Sequence, residues 1–544
     1  DARTALGTTA ERVTPIELIR IILTAPVDLL WNGGIGTYVK ASSETHADVG
    51  DRANDAVRVD ASELRCRMVG EGGNLGFTQL GRVEYALADG LIYNDAVDNS
   101  GGVDCSDHEV NIKILLSDVV AAGELPFEDR DRLLVEMTDE VAQLVLDNNR
   151  AQTLALMIAR RQALPMANVH ARYLAQLEAE HWLDREHEFL PTDRQVAERQ
   201  SAGRGLLTPE LAVVMAYTKN ADVADILLTD LPDDPALATD LSSYFPGPLR
   251  DRYADAIRTH RLRREITTTR LVNQMVNLSG ISYDHRMTED TGASTSDVAR
   301  AWIAMREIFG FAEQWRQIDE LRTAISLDTQ LDLFLDCRRT AERCSLWMLR
   351  HRHPPIDIAA AIVDFRPGIQ SLLVGFDGLL SGRMADSVYS TEAARLAAGV
   401  PESLAQRSAV WKLLHTGFDL IEIASREGVP LATAATVYWQ VFDRLDLMWL
   451  WDAIGALPRS DRWQTQARSA LRDDLMTVLA ELAGTVMRRS GGSTDSWIAA
   501  NERPIARALE MFAEIRRAEV FNLTNLSVAL RQLRNLGLTS VHER

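Results

Sequence analysis

The chain has 544 residues, a net charge of -20 and 46% hydrophobic residues, enough for several domains and a large core. The acidic balance argues against a general nucleic-acid binder, whose affinity comes from neutralising phosphates. No uninterrupted apolar run approaches the ~18 residues that a membrane span needs, and Asp1-Ala2-Arg3 is followed by small and polar residues rather than the apolar core of a secretory signal.

The first elements can be placed in chain order. Thr14-Pro15-Ile16-Glu17 opens a helix: Thr14 caps, Pro15 suits the first turn and Glu17 completes a capping box. Pro26 closes it. Val27 to Trp31 reads as a buried strand, followed by the loop Asn32-Gly33-Gly34-Ile35-Gly36. That loop is a fragment of GxGxxG with Val39 where the third glycine belongs, so it reads either as part of a dinucleotide site or as a turn serving only geometry. Residues 44–57 are helical in composition. The runs Met68-Val69 and Leu91-Ile92-Tyr93 each rise into a turn, Glu71-Gly72-Gly73-Asn74 and Asn99-Ser100-Gly101-Gly102-Val103. Leu80, Val83 and Leu87 recur between them at helical spacing. Three strands alternating with helices predict a parallel α/β sheet, with ligands at the carboxyl ends of the strands where these loops sit. A complete doubly wound dinucleotide domain has about six strands. The expectation is therefore the second half of a Rossmann-like domain, in a chain that is one piece of something longer.

Ser106-Asp107-His108-Glu109 has capping-box spacing and predicts the start of another helix, with Val110, Ile114 and Leu115 on one face. Ser106 is then a helix cap, and the orphan N–H groups beside it also make a site for a carboxylate, opposed by the charges of Asp104 and Asp107. Lys113 reads as a surface lysine. A Ser106–His108 nucleophile is disfavoured because residues two apart on a helix point to different faces.

From about residue 119 strand signals nearly vanish. Leu133, Leu134, Met137, Val141 and Leu144 show helical periodicity, and Thr208-Pro209-Glu210 opens a well-signalled helix. Loops are marked at 230–235, 244–248, 279–280 and 489–492. Trp302, Trp315, Trp347, Trp411, Trp439, Trp449, Trp451 and Trp463 read mostly as core or helix-packing residues. No HExxH, P-loop or GxSxG occurs, and His351 with His353 reads as surface. The basic run Arg258 to Arg264 reads as a solvated or ion-paired helix face. Four cysteines without a CxxC pair suggest a reducing compartment, and hence the cytoplasm.

Residues 27–115 resemble the amino-acid dehydrogenases of the glutamate dehydrogenase superfamily. Its NAD domain carries a D-I-x-x-P-A-A strand end, an E-G-A-N loop and an N-A-G-G-V-x-x-S loop. The matching text is DLLWNGG at 28–34, EGGN at 71–74 and NSGGVDCS at 99–106, in the same order and spacing. The fuller text is similar to the large NAD-specific glutamate dehydrogenases, and LTPELAVVMAYTK at 207–219, YFPGPLRDRY at 244–253 and THRLRREITTTRLVNQMVNLSG at 259–280 extend the likeness. It implies reversible oxidative deamination of L-glutamate to 2-oxoglutarate and ammonium, with NAD as cofactor. Asn32, Gly33, Gly34, Gly72, Gly73, Asn74 and Asn99 would line the cofactor, Gly102 and Val103 would border the substrate, and Ser106 would bind a glutamate carboxylate. Asn32 stands for the family's proline and Gly33-Gly34 for its two alanines, which leaves that loop more room. The family's catalytic lysines, its aspartate and its phosphate-binding turn lie upstream, so the resemblance implies an incomplete chain, inactive alone, that works with the upstream catalytic part of the same polypeptide.

The expected architecture is an α/β half of a Rossmann-like dinucleotide-binding domain over residues 1–118, followed by an all-α region over 119–544 with sub-boundaries near 205 and 385. The helical region is expected to serve regulation or assembly in a homo-oligomer, a tetramer or hexamer, with neither nucleic acid nor membrane as partner. The alternative is a non-catalytic helical regulatory or oligomerisation module.

Overall fold

The computed structural model describes residues 2–459 and 461–539. Helix accounts for 73% of the structure and strand for 3%, and the expected Rossmann-like half domain does not form. In its place are two two-stranded parallel sheets, Leu29–Asn32 beside Met68–Glu71 and Val39–Lys40 beside Val59–Asp60. The run at Leu91 contributes one bridge to Met68 and no strand. Parallel sheets are stabilised by cover on both faces. Here the strand predicted to be buried is half open to solvent, with Leu29 49% and Trp31 59% exposed. The segment at 44–57 also departs from expectation. It holds only the short helix His46–Val49, stopped by Gly50 at φ 75°, and a 3-10 turn at Arg52–Asn54. The fully buried Arg58 draws the chain into these turns by bonding the carbonyls of Thr37 and Asp51 and the carboxylate of Asp55.

The chain divides into two compact units, Asp1–Arg286 and Met287–Arg544. In the first, Pro15–Leu23 begins with the predicted capping box between Thr14 and Glu17, and Gln79–Leu87 is capped by Thr78. The small sheets close over Val39, Val59, Val69, Phe77, Tyr85 and Ile92. The long helices Ser100–Ala121, Phe127–Arg161, Thr208–Leu227 and Arg263–Ser279 supply the rest. Ile112, Leu115, Leu116 and Val119 of the first meet Leu133 and Met137 of the second around Phe245. The basic run at 258–264 is ion-paired, through Arg258 to Asp255, Arg261 to Asp118, and Arg263 and Arg264 to Asp233. It joins the end of one helix, Ala254–Arg258, to the start of Arg263–Ser279 and is not a single helix face.

The second unit is built on Thr295–Phe309, whose residues from Val298 to Met305 are all buried. A helix covered all round belongs in a core, and Leu327–His351 and Ile358–Gly375 pack on it. Ile358–Gly375 is long and apolar enough to cross a membrane by composition. It nevertheless carries Asp364 and Arg366, and it buries Phe365, Ile369 and Leu372 within this unit. A second group, Leu431–Arg444, Arg462–Ser490 and Leu523–Thr539, packs pairwise. Loop signals read from sequence coincide with real ends: Gly280 (φ 107°) follows Ser279, and Gly491 ends the 462–490 helix in the left-handed region. Trp302, Trp411 and Trp439 are fully buried as expected, while Trp463 is 73% exposed beneath the Arg462 guanidinium.

Truncating Trp439 to alanine is expected to cost about 3–5 kcal/mol, and truncating Trp463 no more than about 0.5. Urea unfolding followed by circular dichroism measures both; equal losses would contradict this assignment of the core.

Candidate functional site

Three loops meet at the ends of Leu29–Asn32 and Met68–Glu71: 32–36, 71–76 and 94–102. At one point the first two loops approach backbone on backbone. A Cβ at Gly73 would lie 2.3 Å from the Gly34 carbonyl oxygen, and one at Gly72 would lie 2.3 Å from the Trp31 ring. Glycine is required at Gly73, where the obstruction is backbone, whereas at Gly72 it is the ring of the exposed Trp31. The second and third loops are tied by one side-chain bond, in which Asn99 Nδ2 donates to Asn74 Oδ1 at 2.6 Å. The Gly34 amide donates to Asn32 Oδ1 at 3.4 Å. Asn32 Nδ2 is a buried donor with no hydrogen-bond partner, pressed against Gly76.

Beneath the loops lies a buried ion pair that sequence reading missed. Glu71 ends its strand fully buried, and Arg82 grips it with two bonds, Nε to Oε1 at 2.7 Å and Nη2 to Oε2 at 2.8 Å. Arg82 also pairs with Asp95 at 3.2 Å. Asp95 accepts the Leu75 amide at 2.8 Å, and Asp98 accepts the Glu71 amide at 3.0 Å. Burial works against the charge on Arg82, but Glu71, Asp95 and Asp98 outweigh it and raise the guanidinium's pKa. The available signal was an arginine on the covered face of Gln79–Leu87, just before the buried Val83 and Tyr85 and one turn after Thr78.

The third loop runs into a helix earlier than its sequence suggested. Ser100–Ala121 starts six residues before Ser106, with Asn99 as its cap: the Gly102 amide donates to Asn99 Oδ1 at 3.0 Å. The Gly101-Gly102 pair reads as loop but sits in the first turn, where the Asn99 cap satisfies the Gly102 amide, one of the donors that a helix start leaves unpaired. Ser106 is therefore not a cap. It stands on the second turn, exposed, its hydroxyl donating to the Val103 carbonyl at 2.7 Å, and the helix-terminus argument for it does not hold. Val103, Ser106 and Val110 form one exposed stripe, with Val103 69% and Val110 51% open. Asn149 of Phe127–Arg161 fixes the helix start by donating to the Val97 carbonyl at 2.7 Å and Ser100 Oγ at 2.8 Å.

On the flank of this helix Asp104, Asp107 and Asn111 line a cavity of about 460 Å³. Asp104 accepts Asn148 at 2.9 Å and Asp107 accepts the Tyr244 hydroxyl at 2.9 Å, so both carboxylates already hold protein donors. His108 is buried, stacked on Tyr244 at 4.4 Å, and burial holds its pKa low; it does not share a face with the exposed Ser106. Lys113 pairs with Glu109 at the surface. Lys219 approaches from Thr208–Leu227, donating to Gln152 Oε1 at 3.3 Å, and burial pushes it down to about 7 against the pull of Asp104.

Residues 203–535 match the family described as glutamate dehydrogenase, C-terminal. The chain belongs to that family. Residues 1–159, which contain all three loops, match the model described as bacterial NAD-glutamate dehydrogenase, catalytic domain. An NAD-specific glutamate dehydrogenase of Pseudomonas aeruginosa is 43% identical over 540 residues, 98% of this chain and 33% of that protein. One of Mycobacterium tuberculosis is 44% identical over 537 residues, and one of Halomonas elongata 38% identical over 537, with the same shares. The chain thus spans about a third of the length of these relatives.

For an NAD-type cofactor the loop cluster fits at one end. Neutral amides, bare glycine backbone and the unpaired Asn32 donor suit the carboxamide of a nicotinamide and the hydroxyls of its ribose. Arg82, the cation buried between the loops, is fully engaged by Glu71 and Asp95 and offers nothing to a pyrophosphate.

Replacing Arg82 with methionine leaves the Glu71 carboxylate buried and unpaired and is expected to cost about 3–5 kcal/mol, read as a lower urea midpoint. Lys219 gives a pH signature. Its pKa is lowered on folding, so the unfolded chain binds the extra proton between about pH 7 and the ordinary lysine value, and stability rises with pH across that window. In Lys219→Met this rise should flatten. An unchanged slope of unfolding free energy against pH would refute the assignment.

Proposed function

We propose that these residues form part of an NAD-dependent L-glutamate dehydrogenase, converting L-glutamate, NAD and water to 2-oxoglutarate, ammonium and NADH. The observation that carries the reading is the meeting of the Gly34 and Gly73 backbones, with the third loop tied in by the Asn74–Asn99 bond, in the segment that matches the catalytic-domain model. Bound there, NAD would supply the hydride acceptor.

On this reading Asn32, Gly33 and Gly34 form one wall of the cofactor cradle, Gly72, Gly73 and Asn74 the other, and Asn99 ties the third loop to the second wall through Asn74. Asn74 and Asn99 offer a donor and an acceptor to a carboxamide or a ribose hydroxyl by opening their mutual bond. Gly102 and Val103 border the substrate. Ser106 Oγ, which holds only an intrahelical carbonyl, turns to donate to a glutamate carboxylate, and the exposed valines on either side exclude water from that bond. The groups that take and give protons are left to other residues of a longer polypeptide, and the isolated 544 residues are proposed to be inactive. We further propose that residues 119–544 serve regulation or assembly in a cytoplasmic homo-oligomer, a reading supported by the size of the helical part; the four free cysteines agree with a reducing compartment.

In a full-length enzyme containing this chain, Ser106→Ala is expected to raise the KM for glutamate about tenfold or more, the loss of one hydrogen bond to a charged group, with the KM for NAD little changed. Equal effects on both substrates, or none, would remove Ser106 from the site. Glutamate-dependent NADH formation by the isolated chain would refute the division of roles.

A further inference from the structure

In a chain with 58 lysines and arginines against 78 carboxylates, basic side chains readily find acidic partners. Among the described residues, three arginines that share one cavity of the second unit have none. Arg343 of Leu327–His351 and Arg468 and Arg472 of Arg462–Ser490 line a cavity of about 310 Å³ with Trp451, Asp452 and Leu475. Among the described residues none of the three forms an ion pair: Arg343 donates only to the Lys412 carbonyl, at 3.1 Å, and the buried Nε of Arg468 has no partner. The nearby acids are turned elsewhere, Asp473 to Arg350 and Asp474 to Arg534. Arg468 and Arg472 stand one turn apart on the same helix face, an arrangement of like charges that destabilises a helix.

The neighbours register this uncompensated charge. Burial lowers Arg468 to about 10, with Arg459 and Arg343 adding to the effect, and lowers Arg472 to about 9, with Arg343, Arg468 and Arg459 adding and Glu342 opposing. Burial, then Arg343 and Arg472, hold the enclosed His415 neutral. The opposing charges are Asp452 in the wall, itself raised by burial, and Glu342 beside Arg343. Keeping three guanidinium groups together against their repulsion and desolvation costs stability, and a ligand bearing several negative oxygens removes that cost. Planar guanidinium forks match such oxygens in pairs.

We propose that this cavity binds a compact multivalent oxyanion of the di- or triphosphate class through Arg343, Arg468 and Arg472. The volume accommodates a diphosphate, and Trp451 in the wall offers an aromatic face to a base attached to it. The site is built from residues of the second unit alone and does not depend on the reading of the loops of the first unit.

The test is titration calorimetry of the whole chain with pyrophosphate, ATP, adenosine and citrate at physiological salt. Saturable binding of pyrophosphate is expected, weakened about tenfold or more in Arg468→Gln/Arg472→Gln and unchanged in Arg316→Gln, which removes an arginine paired at the surface. ATP binding much tighter than pyrophosphate, with no binding of adenosine, assigns the anion to a nucleotide; equal affinities assign it to an inorganic or other phosphate. A second readout is the melting temperature without ligand: Arg472→Gln should raise it by relieving repulsion and should lose the upward shift that pyrophosphate gives the parent chain. Absence of saturable binding, tighter binding of citrate than of pyrophosphate, or affinity that survives the double substitution would overturn the proposal.

Discussion

The first unit depends on one buried ion pair. Glu71 closes a four-residue strand, Arg82 projects from the following helix, and Asp95 and Asp98 precede the next one. A strand of that length paired with one neighbour cannot hold three loops in register by ladder hydrogen bonds alone. The Glu71–Arg82–Asp95 cluster fixes the strand end, the helix and the third loop to a common point instead. Desolvating these charges is costly, and the bidentate geometry with further amide donors offsets it only while every partner is present. That condition makes the cluster a specifier of geometry above it rather than a source of stability.

What the cluster positions is a neutral surface. Its own charges compensate one another inside, so the loops present amides, glycine backbone and the Asn74–Asn99 latch. A neutral loop surface beside the exposed Val103–Ser106–Val110 stripe separates two chemistries across one helix turn, amides and bare backbone on one side and a hydroxyl between two valines on the other. Asn99 links them physically, since it caps the helix through Oδ1 and holds Asn74 through Nδ2. Both atoms of one amide are thereby assigned, which leaves little freedom for substitution at that residue.

The second unit follows a different rule. Its core is large aromatic and aliphatic side chains around Thr295–Phe309, with Trp302, Trp411 and Trp439 fully enclosed. Such a core tolerates few charges, and most arginines at its edges have carboxylate partners. The Arg343–Arg468–Arg472 cavity stands out against that background because the same packing that stabilises the unit holds like charges close together.

The sequence by itself determined the local elements whose signals lie within a few residues: the Thr14–Glu17 capping box, the helix marked by Leu80, Val83 and Leu87, the glycine stops after Ser279 and Ser490, and the burial of most tryptophans. It also determined the motif text that places the chain in its family, and the three loops named from that text do meet. Tertiary structure decided what depends on partners distant in sequence. Whether Val27 to Trp31 and Leu91 to Tyr93 would extend into a covered sheet turned on neighbours to pair with and cover them, and they form instead one short strand and a single bridge. Where the helix near Ser106 begins turned on Asn149, 49 residues from Ser100, which anchors a start that glycine content disguised. The Glu71–Arg82 pair, the neutral His108 and the unpaired arginines were equally illegible, because burial and charge compensation are properties of surroundings that only the folded chain assembles.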